Sequence, residues 1–163
     1  MTGVARALRS ERPDCKIVLS EPHNAQLIGS GVPQERLADG SPTGSHPAWE
    51  PHVIQGWTPD FIPKVLQEGI DQSFFDEVRP VDGVKGMGMA QHLAANEGIL
   101  TGVSGGSTLL TAVEVANEAP EGSVFFVMLP DTGERYLSTP LFESIPAEMS
   151  EEEAALFTST RET

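Results

Sequence analysis

Short apolar runs alternate with longer segments of helical spacing along much of the chain, and this alternation constrains the fold more than any other feature. A run that is apolar on both sides is typical of a strand buried on both faces of a parallel sheet. The predicted strands are Cys15–Ser20, Phe75–Val81, Ile99–Val103 and, most strongly, Val124–Leu129. Strands that alternate with helices predict an α/β fold with a mostly parallel sheet flanked by helices.

Capping residues indicate where the helices begin and end. Asp82 is placed to cap a helix over Gly83–Glu97, and Gly98 is placed to end it. A second helix is predicted to begin at Ser107 and to end before Pro120. The other predicted helices are Thr2–Arg12 and a final acidic helix that begins with the capping-box pair Ser150 and Glu153.

Residues 22–63 have a different character, because Pro, Gly, Ser and Asn are dense and no clean period is present. One short helix is predicted at about Asn24–Gly29. Long loops in compact domains are usually functional or disordered. Trp49, Trp57 and Phe61 favour an ordered loop here, since aromatic side chains gain stability by burial.

The composition excludes several classes of partner. A net charge of -14 argues against nucleic acid and anionic membranes as partners. The chain has no apolar stretch of about 20 residues and no apolar secretory segment near Met1. Its single cysteine excludes an internal disulfide and agrees with a reducing compartment. We therefore expect a cytoplasmic protein without a membrane or nucleic-acid partner.

Two polar segments each follow a predicted strand. Gly102–Ser107 lies between a predicted strand and a helix, where glycine permits a tight turn and the helix start offers free amides. Pro130–Phe142 follows the strongest strand, and ligands of open α/β sheets gather at that edge. Asp131 and Thr132 offer polar groups there. The alternative is an ordinary polar loop anchored by a packed Tyr136.

A third segment, Pro51–Pro63, combines rigid prolines with aromatic residues and is typical of a shaped loop. His46, Glu50 and His52 are possible metal ligands near it. Nothing in their loop context fixes ligand geometry, and no fourth ligand is evident. We therefore predict no metal site and interpret these histidines as hydrogen-bonded or surface residues.

Three motifs together resemble cysteine synthase (O-acetylserine sulfhydrylase), a family of the tryptophan-synthase-β-like, fold type II enzymes that use pyridoxal phosphate. They are GERYLST at 133–139 after an apolar run, PHVIQG at 51–56 and FIP at 61–63. The resemblance runs from Thr2 to about Phe142, with Ala38–Trp49 as an insertion. It implies the C-terminal part of a fold type II enzyme. Cystathionine β-synthase is similar.

The resemblance also implies roles for individual residues. Ser104 matches the residue whose hydroxyl contacts the pyridine nitrogen of pyridoxal phosphate, which makes the ring a milder electron sink than an aspartate partner would. Asp131 and Thr132 match a polar pair near the ring. Gln55 and Gly56 match a loop that lines the substrate entrance and moves on substrate binding. The usual small residues after Gly56 are replaced by Trp57, Thr58, Pro59 and Asp60.

Other parts of the family pattern have no match here. The family's Schiff-base lysine, its carboxylate-binding loop and its phosphate loop precede the matched region. Lys16, Lys64 and Lys85 are the three lysines of the chain, and none has the family context, so no catalytic residue is assigned. The resemblance thus implies a partial cofactor-binding α/β domain over 1–146, without the family's N-terminal half, and an acidic helix or tail over 147–163.

The implied reaction is β-replacement, in which O-acetylserine and sulfide give cysteine and acetate. We expect this chain to be inactive alone and to need a complementary N-terminal half or a homodimer, with an amino acid as the small-molecule substrate. One alternative is a non-catalytic partner that modulates a full-length synthase, and another is a cystathionine β-synthase-like fragment. A Rossmann-like domain is disfavoured because Glu21-Pro22 stands where its glycine motif would follow the first strand.

Overall fold

A computed structural model describes residues 1–159. Two short 3₁₀ turns, Gly133–Tyr136 and Pro140–Phe142, precede the last helix. In the described residues, no helix is both long and apolar enough to cross a membrane. The helices and strands are α1 (Thr2–Glu11), β1 (Val18–Pro22), α2 (Lys64–Asp71), β2 (Glu77–Val81), α3 (Gly83–Glu97), α4 (Val103–Glu118) and α5 (Glu151–Ser159).

The two strands pair in parallel, with Val18 opposite Glu77 and Pro22 opposite Val81. This confirms the α/β class and the predicted strand that ends at Val81. The first strand was predicted over Cys15–Ser20 and instead extends to Pro22. Proline removes only one donor at the end of a strand, and the amide of the next residue, His23, bonds to the Val81 carbonyl at 2.9 Å.

Helices α3 and α4 pack closely because small residues line their contact. A Cβ atom on Gly106 would lie 2.2 Å from the carbonyl oxygen of Gly86 and 2.7 Å from Ala90. The buried hydroxyl of Ser107 lies over Gly86 and has no partner among the described residues. The two helix backbones therefore approach each other to a distance that larger side chains would prevent.

The predicted ends of α3 are confirmed by its capping contacts. The Asp82 carboxylate accepts hydrogen bonds from the amides of Val84 at 2.8 Å and Lys85 at 3.3 Å. These bonds hold the pKa of Asp82 below its usual value. Gly98 ends the helix in the left-handed region at φ 68°, a conformation that glycine adopts without steric cost.

Two apolar clusters hold the long loop region in place. The first cluster joins the loop residue Ile54 to both helices and to the 3₁₀ turns, and the second lies beneath the middle of the loop. The buried residues of the first are Ile54, Val81, Ala90, Val103 and Leu141, with Trp57 and Tyr136 packed against them. Those of the second are Ala25, Leu27 and Ile62, with Trp49 against them. The prediction of an ordered loop is confirmed.

Several predicted elements differ from the structure. The segment Asn24–Gly29 forms turns instead of a helix, since the buried Glu21 carboxylate accepts the amides of Ile28 at 3.0 Å and Gly29 at 2.8 Å. Desolvation raises the pKa of this carboxyl group. Helix α2 was not predicted, and α4 begins at Val103 instead of Ser107.

The predicted strands Ile99–Val103 and Val124–Leu129 do not form. Neither segment pairs with another strand within the described residues. Val124 is 96% exposed and Phe126 is 88% exposed. A strand requires a neighbour for its backbone hydrogen bonds, and the described chain places none beside these segments.

The last helix follows the predicted capping box. The amide of Ser150 donates to the Glu153 carboxylate at 2.7 Å, and the Glu153 amide donates to the Ser150 hydroxyl at 3.2 Å. The helix α5 that follows has no buried residue. Residues 160–163 of the predicted tail lie outside the described residues.

Candidate functional site

The three polar segments singled out from the sequence converge on the first apolar cluster. Ile54 comes from the loop at 51–63, Val103 from the first turn of α4, and Tyr136 from the loop after the predicted last strand. These residues are far apart in the chain, yet they pack together near the first turns of α3 and α4. The cluster therefore positions three loops around one region, which we treat as the candidate active site.

Ser104 lies in the first turn of α4 and is only 3% exposed. Its hydroxyl makes no hydrogen bond with any described residue, although its carbonyl accepts one from Thr108. No side chain caps this helix start in the described chain, so its first amides keep their donor capacity and the positive end of the helix dipole faces the site. A free hydroxyl beside such amides can bind a polar ring atom or an anion.

Asp131 connects the loop at 131–142 to the start of α4. Its carboxylate accepts a hydrogen bond from the Gly102 amide at 3.2 Å and a second one from the Tyr136 hydroxyl. The Thr101 hydroxyl donates to the Asp131 carbonyl at 3.4 Å. Asp131 is therefore bonded to the residue two positions before Ser104, and each of its carboxylate oxygens accepts a hydrogen bond. Its predicted position near a cofactor ring stays a prediction.

Sequence reasoning offered only a packing role for Tyr136, and the structure gives the residue a specific contact as well. The hydrogen bond to Asp131, with some desolvation, raises the pKa of the Tyr136 hydroxyl above its usual value. A Cβ atom on Gly102 would lie 2.3 Å from the Tyr136 ring. Gly102 is thus the residue in the sequence that could have indicated the close approach of the Tyr136 ring, because any larger residue would block it.

Thr132 is exposed and lies outside this carboxylate network. Its side chain forms a hydrogen bond with Glu134, which holds the pKa of that carboxyl group below its usual value. Thr132 therefore follows Asp131 in sequence, while its side chain contacts Glu134 in the 3₁₀ turn. A direct cofactor contact by Thr132 stays a prediction.

Gln55 and Gly56 are both exposed at the tip of the loop. Gly56 has a φ of 84°, which favours glycine. Ile54, just before them, is 1% exposed and packs over the start of α3, where a Cβ atom on Gly83 would lie 2.8 Å from its side chain. The loop tip is thus held beside the same helix ends as Ser104, with its polar group directed outward.

Within the described residues, none of the three lysines forms a hydrogen bond or an ion pair with Ser104, Asp131 or Gln55. Lys16 pairs with Glu77 at 2.6 Å on the small sheet. Lys64 begins α2 and lies beside Gly40, and Lys85 is exposed in the first turn of α3. That none of them is the family's Schiff-base lysine stays a prediction.

The histidines near the loop are engaged in local hydrogen bonds. The His46 ring donates from Nε2 to the Val32 carbonyl at 2.9 Å and accepts the Ala48 amide at Nδ1. The His52 ring donates from Nε2 to the Thr58 carbonyl at 3.0 Å. Within residues 1–159, no group of three His, Cys, Asp or Glu side chains is arranged to hold a metal ion.

The residues present fit one edge of a pyridine ring. The observation that supports this fit is Ser104, a buried residue whose hydroxyl makes no hydrogen bond in the described chain and lies at a helix start without a side-chain cap. Ser104 would hold the ring nitrogen, and Gln55 and Gly56 would lie at the entrance. The phosphate and the covalent attachment of such a cofactor would need other groups.

Comparison with known sequences identifies the family. Residues 1–131 match the family described as pyridoxal-phosphate dependent enzyme. O-ureido-L-serine synthase of Streptomyces lavendulae is 42% identical over 145 residues, which cover 89% of this chain and 39% of that protein. Cysteine synthase of Staphylococcus aureus is 33% identical over 142 residues, which cover 87% of this chain and 39% of that protein. The chain spans about two fifths of the length of these relatives.

Solved structures agree with this result. The crystal structure of O-ureido-L-serine synthase matches with a TM-score of 0.73 and 40% identity, over 94% of this chain and 42% of that one. Cysteine synthase from Entamoeba histolytica matches with a TM-score of 0.69 and 28% identity, over 99% of this chain and 41% of that one. The resemblance inferred from the motifs is confirmed, and the chain belongs to the cysteine synthase-like, fold type II family of pyridoxal-phosphate-dependent enzymes.

Proposed function

We propose that this chain supplies the C-terminal part of a β-replacement enzyme that acts on O-acetylserine. Residues 1–146 would form part of its cofactor-binding domain, and residues 147–163 an acidic appendage. The observation that carries the proposal is the buried residue Ser104 at the start of α4, whose hydroxyl has no hydrogen bond in the described chain, with the loop around Gln55 packed on the same apolar cluster. The other active-site groups would come from sequence outside these residues.

Bound pyridoxal phosphate would supply an electron sink that lets the substrate lose the group on its β-carbon. The Ser104 hydroxyl would donate a hydrogen bond to the ring nitrogen and so leave that nitrogen without a proton. Asp131 would act indirectly, because its carboxylate bonds to the Gly102 amide and orients the helix start that carries Ser104. Gln55 would line the path of the amino-acid substrate.

Exposed apolar residues support the need for a partner. Ile99 is 46% and Leu100 is 47% exposed, and Val124 and Phe126 are exposed more strongly. These residues belong to the two segments that were predicted as strands and have no neighbour within the described residues. A complementary N-terminal part would pair with them, and a homodimer of the assembled cytoplasmic enzyme would follow the family pattern.

Two candidate reactions differ in the nucleophile that replaces the acetate group. Sulfide would give cysteine and acetate, as the cysteine synthase relatives indicate. The higher identity to O-ureido-L-serine synthase, 42% against 33%, favours a second candidate in which O-ureido-L-serine is the product. In a β-replacement, that product requires attack by the oxygen of an N-hydroxyurea group. The two candidates share the amino-acid substrate and the released acetate.

Reconstitution tests the proposal. This chain would be mixed with a separately expressed N-terminal part of a family enzyme that carries the lysine and the phosphate loop. We expect acetate release from O-acetylserine only in the mixture, with the nucleophile identified from the product, and a loss of at least tenfold in rate with Ser104→Ala, about 1.4 kcal/mol.

Association that restores no acetate release would contradict the enzymatic proposal and favour the alternative of a non-catalytic, modulating partner. Activity of this chain alone that disappears when Lys16, Lys64 or Lys85 is changed would also contradict it. Ser123→Ala is the matched control, because it also removes a hydroxyl, and that hydroxyl bonds only to the Pro120 carbonyl.

A further inference from the structure

The insertion at Ala38–Trp49, here termed the brace segment, is folded against residues 55–60, here termed the entrance loop. The indole nitrogen of Trp49 donates to the Thr58 carbonyl at 3.2 Å. The amide of His46 donates to the Asp60 carbonyl at 2.6 Å. The Ser45 hydroxyl donates to the Asp60 carboxylate. Three hydrogen bonds therefore join the brace segment to Thr58 and Asp60 of the entrance loop.

The brace segment is itself fixed in place. His46 is 2% exposed, and both of its ring nitrogens are hydrogen-bonded, to the Val32 carbonyl and to the Ala48 amide. Trp49 packs against the cluster that includes Leu27 and Ile62. A segment anchored by a buried polar contact and an aromatic side chain can transmit a restraint to the loop that it touches.

The entrance loop is held from its inner side as well. Trp57 packs against the first cluster, next to Ile54. Thr58 has a φ of 36°, which is an unusual conformation for a β-branched residue. Its carbonyl accepts hydrogen bonds from both Trp49 and His52. Strained backbone of this kind persists when surrounding contacts determine it.

We propose that the brace segment holds the entrance loop in one position, so that the loop forms a fixed wall of the site and not a flap that closes on substrate. Trp49, Ser45 and Asp60 are then positioning residues. That the loop lines a substrate entrance rests on the proposed function. That the brace segment restrains the loop does not depend on it. Residues 57–60, which stand where the family usually has small residues, include Thr58 and Asp60, the two residues that accept hydrogen bonds from the brace segment.

Amide hydrogen exchange of this chain, without cofactor, tests the restraint. Two amides report on it: Trp57, which bonds to the Ile54 carbonyl at 3.3 Å, and His46, which bonds to Asp60. Trp49→Phe keeps an aromatic ring and removes the indole donor, and Asp60→Ala removes the carboxylate. We expect each change to speed exchange at these amides about fivefold, the factor for one net hydrogen bond in a local opening.

Conservative variants separate positioning from general stability. Asp60→Asn keeps an oxygen acceptor for Ser45, so exchange should return to within twofold of the unmodified rate. Ser45→Ala should act like Asp60→Ala, while Ser123→Ala, which removes a comparable hydroxyl contact to Pro120, should leave both amides unchanged. The thermal midpoint of unfolding should change little in the Asp60 and Ser45 variants.

A single-tryptophan variant adds a spectroscopic test. The chain has two tryptophans, so Trp49→Phe leaves Trp57 as the sole emitter. Adding Asp60→Ala to this variant should make Trp57 more accessible to acrylamide. Unchanged exchange in both Trp49→Phe and Asp60→Ala, or no further gain in quenching, would overturn the proposal. Failed reconstitution with an N-terminal part would bear on the proposed function and leave these measurements unaffected.

Discussion

Two parts of the molecule differ in how much of their apolar surface is buried within the described chain. The helices α3 and α4, with the loops at their starts, form a closed unit in which Ile54, Val103 and Leu141 are buried together. The segments 99–100 and 124–128 carry residues of comparable apolarity that remain exposed. A helix makes its backbone hydrogen bonds internally, whereas a strand needs a neighbour. The closed unit therefore completes its contacts within the described chain, whereas we expect the open segments to depend on a partner.

The largest expected effect comes from opening the closed unit at its narrowest contact. Gly106→Ala places a Cβ atom 2.2 Å from the Gly86 carbonyl oxygen and forces the helices apart. We expect a loss of about 3 kcal/mol in the free energy of unfolding, measured by urea denaturation. Gly88→Ala is the matched control, since nothing lies within 4 Å of its Cβ position, and should stabilise by about 0.5–1 kcal/mol. Equal effects of the two changes would contradict the close contact.

A smaller effect is expected at the link between α4 and the loop at 131–142. Tyr136→Phe removes the donor to Asp131 and should cost about 1–1.5 kcal/mol at pH 7. The hydrogen bond to Asp131 raises the folded-state pKa of Tyr136 above its usual value, so at high pH the folded chain retains a proton that the unfolded chain loses. Stability should therefore fall as pH rises from about 10 through the folded pKa, and Tyr136→Phe should weaken that fall. A pH-independent difference between the two proteins would speak against the hydrogen bond.

The cap of α3 gives a comparable or slightly smaller effect with the opposite pH dependence. Asp82→Ala should cost about 1 kcal/mol at pH 7, whereas Asp82→Asn, which keeps an acceptor, should cost only a few tenths. The folded-state pKa of Asp82 lies below 3.8, so the contribution of the carboxylate is present above the unfolded pKa and is lost as pH falls through the folded pKa. Unfolding at pH 7 and pH 3 measures the change, and an Ala variant equally destabilised at both would exclude this role.

The smallest effect on stability is expected in the open segments. Val124→Ser and Phe126→Ser remove side chains that are almost fully exposed, so the free energy of unfolding should change by less than about 0.5 kcal/mol. The same changes should reduce self-association in sedimentation experiments, because exposed apolar patches promote it. They should also weaken binding of a complementary N-terminal part. A stability loss above about 2 kcal/mol would show that these residues are buried in solution.

The features predicted well from the sequence are those determined by nearby residues. The bounds of α3 follow from a carboxylate before the helix and a glycine after it, and the start of α5 follows from the Ser150–Glu153 pair. Strand β2 was placed correctly at its end because Asp82 follows it at once. The chemical roles of Ser104, Asp131 and Gln55 rest on the resemblance to the family and remain predictions.

The features that were missed depend on distant residues. The apolar run at 124–129 has the composition of a central strand, and composition cannot supply the neighbour that a strand requires. Ser107 was predicted to begin α4, but Gly106 allows close packing on α3 and the helix extends back to Val103. The contacts of Trp49 and Ser45 with residues 58–60 join parts of a loop without any period, so no pattern in the sequence indicated them.

The glycine contact between α3 and α4 has a mechanical consequence. The start of α3 supports Val53 and Ile54, just before the entrance loop, and the start of α4 carries Ser104. Because Gly106 meets the Gly86 backbone with no flexible side chain between them, the two helices have little freedom to slide past each other. We therefore expect the brace that fixes the loop to fix the position of the Ser104 hydroxyl as well, because the two helices form one rigid body between them.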